Sequence, residues 1–256
     1  MGQAPDRVVP LSDAREEGRR LVEAAAEHGI PARLIGGVAI WVRCPSAAAP
    51  PLQREYGDID IVSLSKRSRD LSRFLETMGY QPDKMFNALH GKQRLNFTDP
   101  VSGRPLDVLL DQFAMCHALD LRDRIGVDVA TIPLADLLLT KLQVVQLNHK
   151  DVLDITALLA DHPLGSADHD HIDVGRLAAV LGKDWGFEHT VRINLDRVLA
   201  SLTERGLTDS VTATISERIA GLMRALDQGG KSLAWQVRAK VGERVRWYEL
   251  PEDVRH

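Results

Sequence analysis

Apolar and polar positions alternate along this chain in two different rhythms. From Ala14 to Gly29 the apolar residues fall at helical spacing, with Leu21, Val22 and Ala25 on one face and charges on the other. Asp13 and Glu16 mark its start as a capping box, and Gly29 ends it in the C′ position that glycine favours. A short apolar run, ARLI (32–35), reads as a strand, broken by Gly36-Gly37. VAIWVRC then reads as a short helix stopped by Pro45, and PSAAAPPLQ as an exposed loop of small residues and prolines. In DIDIVSL the period shortens to two, so Asp58, Asp60 and Val62 share one face and Ile59 and Ile61 the other. Ser65 stands where it can cap KRSRDLSRFLETMG, whose Leu71, Phe74 and Leu75 have helical spacing and which Gly79 closes. QRLNF (93–97) and PLDVLLDQF (105–113) predict two strands around the turn TDPVSGR, a hairpin, and VDVATI one more strand.

After Pro133, placed where proline favours a first helical turn, the rhythm is helical throughout. The stretches LADLLLTKLQVVQLNHKDVLDITALLADH, VGRLAAVLG, HTVRINLDRVLASLTERG and SVTATISERIAGLMRAL all carry it. The expected organisation is therefore α+β: a mixed β-sheet domain with flanking helices over residues 1–132, then an all-helical domain over 133–256.

Composition narrows this picture. The 256 residues contain 44% hydrophobic residues, enough for a packed core. The net charge of −4 argues against a molecule basic all over, though not against a local basic face. Cys44 and Cys116 alone form neither a disulfide framework nor a zinc pattern and fit a reducing compartment. The first twenty residues lack the apolar core of a secretory leader, and no apolar run approaches the roughly 18 residues of a membrane helix. The expectation is a cytoplasmic protein.

The chemistry concentrates in three places. Asp58 and Asp60, about 6–7 Å apart along one strand face, can converge on one divalent cation, and oxygen donors of this hard kind suit Mg²⁺ or Mn²⁺. Asp107, a lone acid in an apolar strand, is the candidate third ligand, with pairing to Arg94 or Arg104 as the alternative. Gly36-Gly37, between a strand and a helix start, leaves backbone N–H groups open to phosphate. Phosphates near three carboxylates call for metal between them, the arrangement of two-metal phosphoryl transfer.

That order (LIGGVAIWV, REYGDIDIV, then LDVLL) resembles the nucleotidyltransferase superfamily that includes DNA polymerase β. The stretch IPLADLLLTKLQVVQLNHKDVLDITALL further resembles the nucleotidyltransferase toxins of abortive-infection (AbiEii-type) toxin–antitoxin pairs. The resemblance covers roughly residues 32–160. It implies that Asp58 and Asp60 hold the metals, and that Asp107 joins them and helps the acceptor hydroxyl lose its proton. It also implies that Gly36, Gly37, Arg54 and Lys141 serve the nucleotide phosphates, with Asp151 orienting Lys141 or an arginine. The implied reaction moves a nucleoside monophosphate from an NTP to RNA, such as the tRNA 3′ end, as a growth-inhibiting toxin with a cognate antitoxin. The alternatives are transfer to a protein or an antibiotic-like small molecule, and a nucleotide-binding module without turnover. Gly37 replaces the serine of many relatives, Tyr56 stands where Ser or Thr is common, and PSAAAPPLQ lengthens the path from Gly37 to Asp58.

Blander readings stand beside these. Lys150 and Asp154 form an i,i+4 pair worth about 0.3–0.5 kcal/mol to a helix without any function. The histidines of DHPLGSADHDHID read as a polar connector rather than a zinc site. The basic tail, with Lys231, Arg238, Lys240, Arg244 and Arg246 among Trp235, Trp247 and Tyr248, suits either nucleic-acid binding or a terminal helix docking on the core.

Overall fold

The structure, a computed structural model, describes residues 8–250. Part of the N-terminal segment read for a leader, residues 1–7, lies outside the described residues. The chain forms two compact units. One contains the chain up to Arg43 with Glu55–Phe113 and Asp120–Ile132; the other contains Cys44–Arg54, Ala114–Leu119 and the chain from Pro133 onward. The boundary expected at 132/133 is one of the crossings, and the excursions at 44–54 and 114–119 are additional ones.

The first unit is built on a mixed five-stranded sheet in the order β1-β2-β5-β4-β3. Its strands are β1 (Ala32–Ile35), β2 (Ile59–Ser63), β3 (Gln81–Pro82), β4 (Arg94–Thr98) and β5 (Pro105–Leu110). β2 runs antiparallel to β1 and parallel to β5, and β4 is antiparallel to both β5 and β3. The hairpin expected at TDPVSGR is the β4–β5 connection, with Gly103 at φ +74 in the turn. Helices α1 (Ala14–Glu27), α2 (Gly36–Arg43), α3 (Ser68–Thr77) and α4 (Lys84–His90) flank the sheet. Asp13 caps α1 by accepting from the Arg15 and Glu16 amides. Gly18 is required in α1 because a Cβ there would meet Val38 Cγ1 at 2.8 Å and Leu34 Cδ2 at 3.1 Å. Glycine in a helix interior costs roughly 0.5–1 kcal/mol relative to alanine, and here it permits close packing.

Three expectations need correcting in this unit. VDVATI forms no strand. Thr131 makes a single parallel bridge to Leu34, because the Asp128 side chain accepts the Ala130 amide at 3.0 Å and turns the backbone away from a ladder. PLDVLLDQF is interrupted at Asp111, at φ +67, so β5 ends at Leu110 and a short strand, β6 (Gln112–Ala114), follows. Ser65 does not cap α3. Its amide donates to Asp111 Oδ1 at 2.9 Å, a 3-10 turn spans Ser65–Arg67, and Arg67 occupies the N-cap without a side-chain bond.

The second unit is mainly helical: α5 (Leu134–Leu142), α6 (His149–Asp161), α7 (Val174–Leu181), α8 (Trp185–Ser201), α9 (Asp209–Gln228) and α10 (Leu233–Val241). Leu137, Leu138, Leu139 and Leu142 of α5 are fully buried. The α5–α6 break is held by Asn194, whose Nδ2 donates to the Leu142 and Val144 carbonyls at 2.8 Å each. The unit is not all helix. Besides the short strand β7 (Ala118–Asp120), the polar connector after α6 folds into a parallel pair, β8 (Leu164–Gly165) with β9 (Ile172–Asp173). PSAAAPPLQ is mostly exposed, as expected, but it is anchored at two points. It opens with a 3-10 turn at Pro45–Ala48, buries Ala47 and Leu52, and donates the Ser46 amide to Asp161 at 2.9 Å. The architecture is thus the expected one, a mixed sheet with flanking helices followed by a helical region. No helix among the described residues is long and apolar enough to cross a membrane.

Candidate functional site

The acidic residues of the first unit meet across the sheet. Asp60, the second residue of β2, is the register partner of Ile35 on one side and of Asp107 on the other. Asp107 in turn faces Asn96 of β4. Register partners on neighbouring strands point to the same face and lie about 5 Å apart, so Asp60, Asp107 and Asn96 form one polar row. The opposite face is apolar, with Ile59, Ile61, Leu95, Phe97, Leu106, Val108 and Leu110 all buried. The period-two pattern therefore does what the sequence suggested, turning the isoleucines to the core and the acids to a half-exposed face. Val62 departs from it, being fully buried on the acid side. Asp58 is exposed on the loop, one residue before β2 begins.

Gly36 follows directly on β1 and opens α2 at φ +65. A Cβ at Gly36 would lie 2.2 Å from Asp60 Oδ2, so the glycine is demanded both by backbone conformation and by the carboxylate against it. Gly37 continues the first turn of α2. The glycine pair is thus the beginning of the helix rather than a break before it, and the N–H groups of that turn, which have no partner within the helix, belong to the same corner as Asp60.

Asp107 is held by Arg94. The guanidinium donates from Nε to Oδ1 and Oδ2 at 2.8 and 2.9 Å, and from Nη2 to Oδ2. The Asn96 amide nitrogen also donates to Asp107, at 2.9 Å. The hydrogen bond to Asp107 raises the pKa of Arg94 against the pull of burial, and the charge of Asp60 adds to it. The alternative pairing weighed for Asp107 is therefore formed, with Arg94 and not Arg104, which bonds Asp99 and the Leu11 and Ser12 carbonyls. Among the described residues no group of three or more His, Cys, Asp or Glu side chains gathers closely enough to hold a metal ion. The expected triad of Asp58, Asp60 and Asp107 is represented instead by an adjacent pair, with Asp58 apart on the loop and Arg94 supplying positive charge at Asp107.

In the second unit the remaining candidates form their own network. Lys141 Nζ lies 3.1 Å from Asp151 Oδ1 and 2.8 Å from Asp154 Oδ2. Arg54 holds Asp154 bidentately, with Nε and Nη2 each 2.8 Å from a carboxylate oxygen. Burial pulls the Lys141 pKa down, and Asp154 and Asp151 more than offset it, so the amine is held above its ordinary value and stays charged. Asp154 thus turns inward to Arg54 and Lys141 instead of serving Lys150 along the helix. Asp151 accepts from Lys141 Nζ.

The tail is folded onto the second unit. Glu188, 2% exposed, accepts Trp235 Nε1 at 3.0 Å, pairs with Arg192 at 2.8 Å and with Lys231. Trp247 Nε1 donates to Thr190 Oγ1 at 3.1 Å, and Arg238 donates to the Gly242 and Val245 carbonyls while stacking over Trp185 at 4.9 Å. Trp235, Trp247, Lys231 and Arg238 serve docking.

No family model matches the chain, and no curated protein matches it. A solved structure, the solution structure of the antibiotic-resistance factor ANT(2'')-Ia, is similar over 80% of this chain and 92% of that one, at 13% sequence identity and a TM-score of 0.37. A likeness of that size decides nothing about activity, and the functional reading rests on the acid row itself.

Proposed function

We propose that the protein is a metal-dependent nucleotidyltransferase, moving a nucleoside monophosphate from an NTP to an acceptor hydroxyl with release of pyrophosphate. The observation that carries this reading is the corner where Asp60 packs against Gly36 at the start of α2 and stands in register beside Asp107. Two carboxylates on adjacent strands next to the first-turn N–H groups of a helix join cation-binding oxygens to a phosphate-binding turn. The donor set fits Mg²⁺ or Mn²⁺: Asp60 and Asp107 would hold the ion, with Asp58 reaching in from the loop. When bound, such an ion neutralises phosphate oxygens and favours ionisation of the acceptor hydroxyl. The chain's own part is positioning. The first turn of α2, with Gly36 and Gly37, donates to the phosphates; Asp107 takes up the hydroxyl proton; Arg94 balances Asp107 before substrate arrives. The roles proposed for Arg54, Lys141 and Asp151 in nucleotide binding are supported by the resemblance and by a lysine that stays charged. The same resemblance supports RNA, such as the tRNA 3′ end, as acceptor, growth inhibition as outcome, and an antitoxin as partner.

The second reading, a nucleotide-binding module without turnover, is favoured by Arg94 occupying both Asp107 oxygens. Incubation with each α-labelled NTP, Mg²⁺ or Mn²⁺ and cell lysate separates the two. Label on tRNA supports the full proposal, and label on protein or a small compound keeps the chemistry and changes the acceptor. Bound NTP without transfer to anything supports the second reading and overturns the first.

A further inference from the structure

Residues 66–94 carry seven Lys and Arg against three Asp and Glu, a local excess of positive charge in a chain of net charge −4. Arg67 is paired with Asp70, and Arg94 with Asp107. Asp83 is spent capping α4 through the Phe86 amide. Lys66, Arg69, Arg73, Lys84 and Lys92 make no ion pair among the described residues. Their charge is therefore not neutralised within the fold, unlike that of Lys231 in the tail, which pairs with Glu188.

Two of these cations face a cleft of about 590 Å³ between α3, α4 and the start of β4. Arg69 and Lys92 line it with Ser68, Ser72, Asn87 and Leu89. The volume lies in the range of ligand-binding clefts, roughly 300–1,000 Å³. The lining combines cations, hydroxyls and an amide with Leu89, 75% exposed, and Met85, one turn earlier on α4 and just outside the lining, is 78% exposed. The cleft is also joined to the acid row. Asn87 accepts the Asn96 amide at 2.7 Å and donates to the Asn96 carbonyl at 3.1 Å, and the Asn96 side chain reaches Asp107. Phosphate oxygens suit the cations and hydroxyls, and flat bases suit these two apolar side chains. A neutral small acceptor would use neither.

We propose that this cleft holds a single-stranded nucleic acid, with Arg69 and Lys92 on its phosphates and Leu89 and Met85 beneath its bases, leading the strand toward Asp107. The proposal deepens the nucleotidyltransferase reading, and its test is a binding measurement that needs no turnover. Fluorescence anisotropy of a labelled single-stranded RNA of about 16 nucleotides is read against salt for the full chain without NTP. Arg69→Ala/Lys92→Ala is compared with the tail variant Lys240→Ala/Arg244→Ala, with thermal melts to confirm folding. The cleft variant is expected to weaken binding and to flatten the slope of log K against log salt by about 1.4, at roughly 0.7 per phosphate contact. The tail variant is expected to leave both unchanged. Equal affinity and slope for wild type and the cleft variant would overturn the proposal, as would a wild type that binds polyglutamate and no RNA. Loss of fluorescent ATP binding with RNA binding intact would assign the cleft to free nucleotide and overturn it as well. If the cleft variant loses RNA binding while wild type transfers no label, the cleft stands and the catalytic reading falls.

Discussion

At the scale of single residues, Gly36 is where backbone and chemistry meet. Its φ of +65 disfavours any side chain by about 1–2 kcal/mol, and a methyl group would push on Asp60 Oδ2 from 2.2 Å. Gly36→Ala is expected to lower stability by about that amount in a urea titration and to lower transfer by more than the stability loss explains. Unchanged activity would separate the glycine from the site. Gly36 and Asp60 were both legible in the sequence as types and positions. Their contact was not, since it depends on the register of β1 against β2. Arg94 was legible only as one of two partners for Asp107, because a side chain's choice between arginines is made by strand pairing.

A pH dependence also belongs to this scale. The Arg15 guanidinium beside Asp13, with two capping amides, holds the Asp13 carboxyl down at about 2 against the pull of burial. Asp99 and Asp128 are also held low: burial raises them, but hydrogen bonds from Ser102 and nearby amides for Asp99, and from the Ala130 amide and the charge of Arg43 for Asp128, lower them further. A carboxyl whose folded pKa is depressed contributes stability above its unfolded pKa and loses it as pH falls through the folded value. Stability should therefore decline from about pH 4 down toward pH 2. Asp13→Asn keeps a capping oxygen while removing the charge, so it should soften that decline in acid melts. An acid profile identical to wild type would remove Asp13 from the account.

At the scale of elements, what could be read was what periodicity controls. Helices α1, α3 and α5–α9 and strands β1, β2, β4 and β5 follow from apolar spacing and caps. What failed was decided by single side chains competing for backbone groups. Asp128 takes an amide from the would-be strand at VDVATI, and Asp111 takes the Ser65 amide that was expected to begin a helix. Helix α4 carries no buried residue, so no apolar stripe announced it. The tail posed a question that composition left open. Its tryptophan N–H groups find buried acceptors, and this favours docking. Trp235→Phe removes the bond to Glu188, a charged acceptor, and should cost about 1.5–3 kcal/mol in chemical denaturation. A variant as stable as wild type would return the tail to the nucleic-acid reading.

At the scale of the whole molecule, the two units hold different halves of the candidate chemistry, the acid row in one and the Arg54–Asp154–Lys141–Asp151 network in the other. Within a chain of net charge −4, positive charge is concentrated locally in residues 66–94 and in the tail. The central claim is that Asp60 and Asp107 make this protein a nucleotidyltransferase. It is tested most directly by α-labelled NTP transfer to total RNA with Mg²⁺ or Mn²⁺, comparing wild type with Asp60→Asn. Asparagine keeps the size of the side chain beside Gly36 and removes its charge. The account predicts labelled acceptor from wild type and at least a hundredfold less from a variant that melts as wild type does, a loss of about 2.7 kcal/mol of transition-state stabilisation. Equal transfer by the two proteins would contradict it.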